Sequence, residues 1–302
     1  MPAVTVDQLR KSYQDTVALS KESFHVEEKE LFGLIGPDGA GKTTLFRILT
    51  TLLVPDQGKA WVEGFDVVKD YRQIRMITGY MPGEFSLYMD LTVEENLKFF
   101  ATIFDTTIEE NYHLIRDIYQ QIEPFKDRLA RNLSGGMKQK LALSCALIHK
   151  PRLLILDEPT TGVDAVSRKE FWEMLVQLKK QGITILVSTP YMDEAELCDR
   201  VALIQQGSIM KIDAPSRIVE DFPGKLWAAK SREPYKLLQD LRAYRGLASV
   251  YPFGDSMHIT AKRGDLEKPQ LEDFLRQRGH RDLELVPIRP TIEDCFMDLM
   301  NQ

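Results

Sequence analysis

No stretch of this sequence approaches the roughly 18 to 20 consecutive apolar residues that a membrane-spanning helix needs. The runs Leu153–Leu156 and Ile183–Val187 end quickly in polar residues, so the chain is not expected to cross a bilayer by itself. Cysteine is scarce. Cys145, Cys198 and Cys295 are odd in number, far apart and without CxxC spacing, which argues against a disulfide framework or a zinc site and fits a reducing, cytosolic setting. Each is read as a small buried hydrophobe. An excess of positive charge is also missing: 39 Lys+Arg stand against 45 Asp+Glu, a formal net charge of −6. A chain of that balance is not built to coat nucleic acid. Asp7, Arg10, Lys11, Asp15 and Lys21 break up the apolar pieces at the start, so no secretory signal is read there. Internal repeats and low-complexity tracts are absent as well. What remains is a chain of 302 residues, 43% hydrophobic and 28% charged, long enough for one large domain plus a smaller one.

The patterning changes twice along the chain. Over residues 1–80, Ala3–Leu9, Ser23–Val26, Leu31–Ile35, Ala60–Val62 and Ile77–Met81 read as strands, interrupted by a helix that opens at Gly41. Helical periodicity then takes over, with Val93, Leu97, Phe100 and Ile103 in one stretch and Ile115, Ile118, Tyr119 and Ile122 in the next, a helical insert over about 85–150. From Arg152 to Ile212 the near-continuous apolar strands Leu153–Leu156, Ile183–Val187 and Arg200–Ile204 alternate with helices at Ser167–Lys180 and Asp193–Cys198. That alternation indicates a parallel sheet covered on both faces. A domain boundary is expected between Pro215 and Pro223, giving domains over 1–216 and 223–302. The second reads βαββαβ with a last helix from Thr291, the order of a small α+β, ferredoxin-like unit.

Directly after the strand Leu31–Ile35 comes Gly36-Pro37-Asp38-Gly39-Ala40-Gly41-Lys42-Thr43-Thr44, a full G-x-x-x-x-G-K-T between a strand and a helix. A random match in a chain this long has odds on the order of 1 in 100. Small residues let the backbone wrap a phosphate, and the N–H groups of the loop and helix N-terminus point at it. Lys42 is expected to neutralise the β- and γ-phosphates, and the Thr43 hydroxyl to ligate Mg²⁺. Asp38 is expected to turn outward and cap its own turn, because a carboxylate near phosphate repels it.

Further on, the run Leu153–Leu156 ends in Asp157-Glu158-Pro159. Ligands bind at the C-terminal ends of parallel strands. Asp157 is therefore expected to hold Mg²⁺ opposite Thr43, and Glu158 to polarise the attacking water. Between the two motifs, Leu133-Ser134-Gly135-Gly136-Met137 precedes a helical pattern, with Ser134 where an N-cap belongs and two glycines leaving the helix N-terminus bare for an anion. One γ-phosphate does not need two such devices on one chain. The economical arrangement is that Ser134, Gly135 and Gly136 serve a nucleotide on another subunit.

Taken together, the phosphate loop, the LSGGM segment, the LDEP strand end and Thr161-Gly162-Val163-Asp164 resemble the ATP-binding subunit of an ABC transporter over about residues 3–215. The helical insert, the C-terminal extension and the ending Pro290–Phe296 are similar to the export branch, in which ATPase and membrane chains are often separate. The resemblance implies a P-loop α/β fold with a mixed core sheet, an antiparallel β subdomain and the helical insert. It implies that Tyr13 stacks on adenine and that Asp164 bridges two subunits. It implies, too, a head-to-tail pair sandwiching ATP and Mg²⁺, with Phe85–Asp90 facing a separate multi-span permease from the cytoplasmic side of the membrane. Two positions depart from the family pattern. Gly83 stands where a glutamine is usual after Tyr80-Met81-Pro82, and Pro190 where a histidine is usual after Ser188-Thr189. None of the five histidines (25, 113, 149, 258, 280) lies close enough in sequence to replace the latter. Losing two oriented groups at the transferring phosphoryl slows hydrolysis more than binding. The expectation is slow turnover, with a second cassette of the same or a more complete kind as partner. The competing reading is an ATP-gated regulatory module with negligible hydrolysis. The basic residues Lys262, Arg263, Lys268, Arg276, Arg278 and Arg281 are read as a solvated face of the second domain.

Overall fold

Short, mostly apolar strands buried on both faces form the centre of the fold. The computed structural model describes residues 2–261 and 266–300. It divides into two compact units, Met1–Pro215 and Ser216–Gln302. Lys262 and Arg263 of the expected basic face lie outside the described residues.

The first unit runs β1 (Val4–Tyr13), β2 (Thr16–Val26), β3 (Leu31–Ile35), α1 (Lys42–Leu49), β4 (Gln57–Val62), β5 (Phe65–Asp66), α2 (Tyr71–Ile77) and β6 (Thr78–Met81). The insert follows as α3 (Val93–Ile103), α4 (Ile108–Tyr119) and α5 (Gly135–Leu147). The chain returns through β7 (Leu153–Asp157), α6 (Ala165–Lys180), β8 (Thr184–Thr189), β9 (Arg200–Gln205) and β10 (Ser208–Asp213). The central sheet has the order β10-β9-β3-β8-β7-β6, parallel except for the β9–β10 hairpin. A second, antiparallel sheet has the order β2-β1-β4-β5. Every residue of β3 and β7 is buried, as the continuous apolar runs require of strands covered on both faces. Between the sheets, Leu45, Phe46, Ile48 and Leu49 of α1 share one core with Phe32 and Leu34 of β3 and with Val4, Val6, Ala60 and Val62 of the antiparallel sheet. Each fully buried Leu, Ile or Phe there contributes about 2 kcal/mol. The helix that carries the phosphate loop is thereby fixed from both sides.

Thr92–Glu95 and Thr107–Glu110 close capping boxes on α3 and α4, and Ser134 caps α5, so each helix of the insert starts where its sequence signal lies. Five elements differ from the pattern reading. Strands β5 and β10 and helices α2 and α7 (Pro215–Glu220) were not read from the pattern. β10 is an edge strand with no buried residue, and the left-handed pair Gln206 (φ 49°) and Gly207 (φ 78°) turns it back on β9. The helix expected at Asp193–Cys198 is a 3₁₀ helix, Met192–Leu197, whose start has no side-chain cap.

The second unit follows as β11 (Leu226–Lys230), α8 (Pro234–Ala243), β12 (Leu247–Phe253), β13 (Ser256–Ala261), α9 (Lys268–Gln277), β14 (Glu284–Ile288) and α10 (Ile292–Leu299). Its antiparallel order, β12-β13-β11-β14, is that of a split-βαβ, ferredoxin-like sheet. Leu237, Leu241, Leu271 and Leu275 of α8 and α9 pack on Ala229, Met257, Ile259 and Leu285. Strand alternation turns His258 to the other face. There its Nδ1 lies 2.6 Å from Asp294 of α10, whose carboxylate also accepts from the Thr291 N–H at 2.8 Å. The basic residues do not form one free face. Lys268 Nζ donates to Leu285 O at 2.9 Å, and Arg278 donates to Asp240 at 3.0 Å while lying over the Phe274 ring.

Candidate functional site

The phosphate loop leaves the sheet at the end of β3, wedged between the ends of its two parallel neighbours. Gly36 donates its N–H to Thr189 O at 3.3 Å, and a Cβ at Gly36 would lie 2.1 Å from Ile204 O, so only glycine fits. Gly41 turns the chain into α1 with φ 107°, and its own Cβ would meet Ala18 O at 2.3 Å. No side chain caps α1. Its leading N–H groups, with the half-buried Thr43 and Thr44 beside them, form an anion site of the kind bare helix N-termini make. Pro37 O accepts from the Ala40 N–H, closing the turn. Asp38 is exposed, and among the described residues no hydrogen bond ties its carboxylate into the cap expected of it.

Lys42 is buried, and its Nζ reaches three oxygens: Gly36 O at 2.8 Å, Pro37 O at 3.0 Å and Glu158 Oε1 at 3.0 Å. The ammonium and the carboxylate expected to act on one phosphoryl group therefore sit side by side. β7 delivers both acidic residues. Asp157 is 1% exposed and accepts from the Ser188 hydroxyl at 2.6 Å through Oδ1, and Glu158 takes a left-handed backbone, φ 49°. A non-glycine residue in that region stores strain, and here the surroundings hold it: the Glu158 N–H donates to Ser188 O at 3.1 Å and to Ser188 Oγ at 3.0 Å. Sequence reading missed the part Ser188 plays in this. The available signal was a hydroxyl residue at the end of the strand beside β7. Tyr80, at the end of β6, has its phenol pushed up to about 12 by burial and by the charge of Asp157.

A Mg²⁺ ion suits this donor set. One hydroxyl (Thr43), one carboxylate (Asp157) and phosphate oxygens match the ion's preference for oxygen ligands, with few supplied by protein. Among the described residues no group of three His, Cys, Asp or Glu side chains forms a metal site, and a phosphate-borne Mg²⁺ needs none.

The two departures fall on the site itself. Position 83 faces the acidic strand end: a Cβ there would lie 3.2 Å from the backbone oxygen of Asp157 and 3.9 Å from Glu158 Cβ. Pro190 follows Thr189, the residue whose carbonyl receives the Gly36 N–H. At Ser134, Oγ accepts from the Met137 N–H at 3.3 Å, while Ser134 and Gly135 are exposed. Side chains added at Gly135 and Gly136 would meet Gly162 O and Ser167, which belong to the Asp164 loop and α6 rather than to the Lys42 loop. Asp164 caps α6 by accepting from Val166 N–H at 3.1 Å and Ser167 N–H at 3.0 Å, bonds that hold its carboxyl below the usual range. Tyr13 ends β1, 44% exposed, with Lys11 Nζ 5.9 Å from the ring centre.

Beside position 83 a cavity of about 410 Å³ opens, lined by Leu52, Met76, Met81, Phe85, Phe100 and Phe104 among others. Arg75 brings a positive charge to it, and burial lowers the pKa of His149 to about 4, so that imidazole is neutral. The adjoining loop exposes Tyr88 and Met89 and is held by Asn96, which is 0% exposed. Asn96 accepts from the Tyr88 N–H at 2.9 Å and donates to Tyr88 O at 3.0 Å and Thr92 O at 2.9 Å. Asn96→Ala is expected to destabilise the protein by about 3 kcal/mol in denaturant unfolding, because it strands these buried backbone groups.

A glycine-wrapped lysine at a bare helix N-terminus, facing carboxylates across a parallel sheet, defines a P-loop nucleotide-binding domain. Residues 19–161 match the family described as ABC transporter. The chain is 34% identical over 301 residues to the Nod factor export ATP-binding protein I of Rhizobium sp. strain N33, covering 98% of this chain and 96% of that protein. It therefore belongs to the ATP-binding proteins of ABC transporters. It is also 37% identical over 303 residues to the protein of Escherichia coli strain K12 named "Probable multidrug ABC transporter ATP-binding protein YbhF", covering 98% of this chain but 52% of that one, so it spans about half the length of that relative. A solved ATP binding subunit of an ABC transporter superposes with a TM-score of 0.66 at 27% identity, over 73% of this chain and 93% of the other. No described helix is long and apolar enough to cross a membrane.

Proposed function

We propose that this chain is the ATP-binding and ATP-hydrolysing subunit of an exporter, acting from the cytoplasmic face of the membrane on a separate permease. The observation that carries the reading is the meeting of the phosphate-loop lysine and the carboxylate after β7, with Lys42 Nζ 3.0 Å from Glu158 Oε1. The names of the relatives, multidrug and Nod factor export, support the direction of transport.

In this reading Tyr13 stacks on the adenine, and the Gly36–Thr44 backbone wraps the phosphates. Lys42 turns from Glu158 to the β- and γ-phosphates, which frees the Glu158 carboxylate to take a proton from the attacking water. Thr43 and Asp157 hold Mg²⁺, which neutralises charge on the transferring phosphoryl group. Ser134, Gly135 and Gly136 of a second protomer close on the same γ-phosphate, and Asp164 bridges the pair. The ligand drives closure only through its higher affinity for the closed pair. The 85–90 loop and the apolar cavity beside it receive a cytoplasmic segment of the permease.

Hydrolysis is weakened at Gly83 and Pro190, where no hydrogen-bonding side chain is present to orient water or the γ-phosphate. Gly83→Gln combined with Pro190→His is expected to raise turnover by about 100-fold with little change in ATP affinity, since each restores an oriented group at the reacting centre. Steady-state phosphate release checks this. Wild-type turnover that is already unaffected by the double substitution contradicts the weakened-site reading. No measurable turnover in either form favours an ATP-gated regulatory module.

A further inference from the structure

Between Glu158 and α6 runs the short segment that carries Asp164, and behind it lies a second polar cluster, made by Thr160, Glu194 and Arg168. Thr160 is 1% exposed and Glu194 3%. The Thr160 hydroxyl donates to both oxygens of the Glu194 carboxylate, at 2.9 and 3.2 Å. Arg168, in the first turn of α6, places Nε 3.9 Å from Glu194 Oε1 and a terminal nitrogen 3.7 Å from Asp193, with its guanidinium 4.9 Å over the Tyr191 ring. A carboxylate this deeply buried is costly unless its partners are fixed. Its partners come from the two sides of Asp164: Thr160 from the loop ahead of it, Arg168 from the helix it caps. Glu194 itself belongs to the segment after β8, whose first residue, Pro190, has no N–H with which to tie the loop.

We propose that Thr160, Glu194 and Arg168 form a clamp that fixes the Asp164 loop to the segment after β8, making Thr160 and Glu194 positioning residues for the contact between two protomers. The inference rests on the reading of Asp164 as a group that bridges protomers. Thr160 lies two residues beyond Glu158, and the Thr161 hydroxyl reaches Glu158 Oε2 at 3.4 Å, so the same clamp sets the loop that leaves the catalytic carboxylate.

The test uses the full chain carrying Glu158→Gln, with Mg-ATP, and reads the dimer dissociation constant by sedimentation equilibrium and the ADP affinity of single protomers by calorimetry. Adding Thr160→Val is expected to weaken dimerisation about tenfold while leaving ADP affinity within about twofold, since it strands one buried acceptor away from the nucleotide. Thr160→Ser restores the hydroxyl and the dimer. Glu194→Gln keeps an acceptor but loses the attraction to Arg168, and is expected to weaken the dimer about threefold. Dimerisation of the Thr160→Val form equal to its parent overturns the clamp. Should that form fail to fold, parent-like dimerisation of the Glu194→Gln form overturns it instead. A parent that stays monomeric in Mg-ATP is a different result, because it refutes the functional reading on which the clamp rests.

Discussion

Replacing Lys42 with alanine is expected to lower ATP affinity by about 100-fold or more, measured by equilibrium binding to the purified chain. Hydrogen bonds between an ammonium and phosphate are about twice as strong as neutral ones, and this one acts in a buried site where water does not screen it. The change also takes away the partner of Glu158, at 3.0 Å, leaving a negative charge that faces the incoming phosphates. Both effects have the same sign. Lys42→Arg is not expected to rescue the affinity: the guanidinium is a wide planar fork, whereas the ammonium fits among Gly36 O, Pro37 O and the carboxylate. Folding is a separate matter. The core of α1 rests on Leu45, Phe46, Ile48 and Leu49, so the circular dichroism of the Lys42→Ala form is expected to match the wild type.

Glu158→Gln is expected to lower turnover by at least about 100-fold, the lower end of what a positioned general base contributes, while ATP affinity is retained or improved. Glutamine keeps the shape and the hydrogen-bonding reach of the side chain but cannot take a proton at neutral pH. Its backbone keeps the φ of 49° that Ser188 enforces with two bonds to the N–H, so the geometry of the loop survives. A drop in turnover together with a drop in affinity would mean that Glu158 serves binding rather than chemistry. Single-turnover hydrolysis separates the two.

The segment from β3 through α1 was legible because each level of signal agreed: a five-residue apolar run, a glycine-rich turn, and a lysine opening a helix with apolar spacing. The same holds for β7 and its two carboxylates and for Ser134 as a cap. What the sequence left dark was of two kinds. Short or half-exposed elements such as β5, α2 and β10 lack enough buried residues to impose a period on the chain; in α2 only Ile74 is buried. Long-range polar partnerships carry no local pattern at all. Thr160 and Glu194 are 34 positions apart, and Ser188 and Asp157 are 31 apart. The left-handed backbone of Glu158 was equally hidden, since glutamate carries no local preference for that conformation. The site was thus readable as a set of motifs, but not as the arrangement that holds them in place.

Light scattering of the Glu158→Gln chain with and without Mg-ATP reads nucleotide-driven pairing itself. The molar mass is expected to double from one protomer to two when Mg-ATP is added, and Ser134→Arg, at the bare start of α5, to prevent the doubling while ATP still binds each protomer. A mass that stays at one protomer in saturating Mg-ATP, or a dimer indifferent to Ser134, contradicts a nucleotide held between the Lys42 loop of one chain and the α5 N-terminus of another.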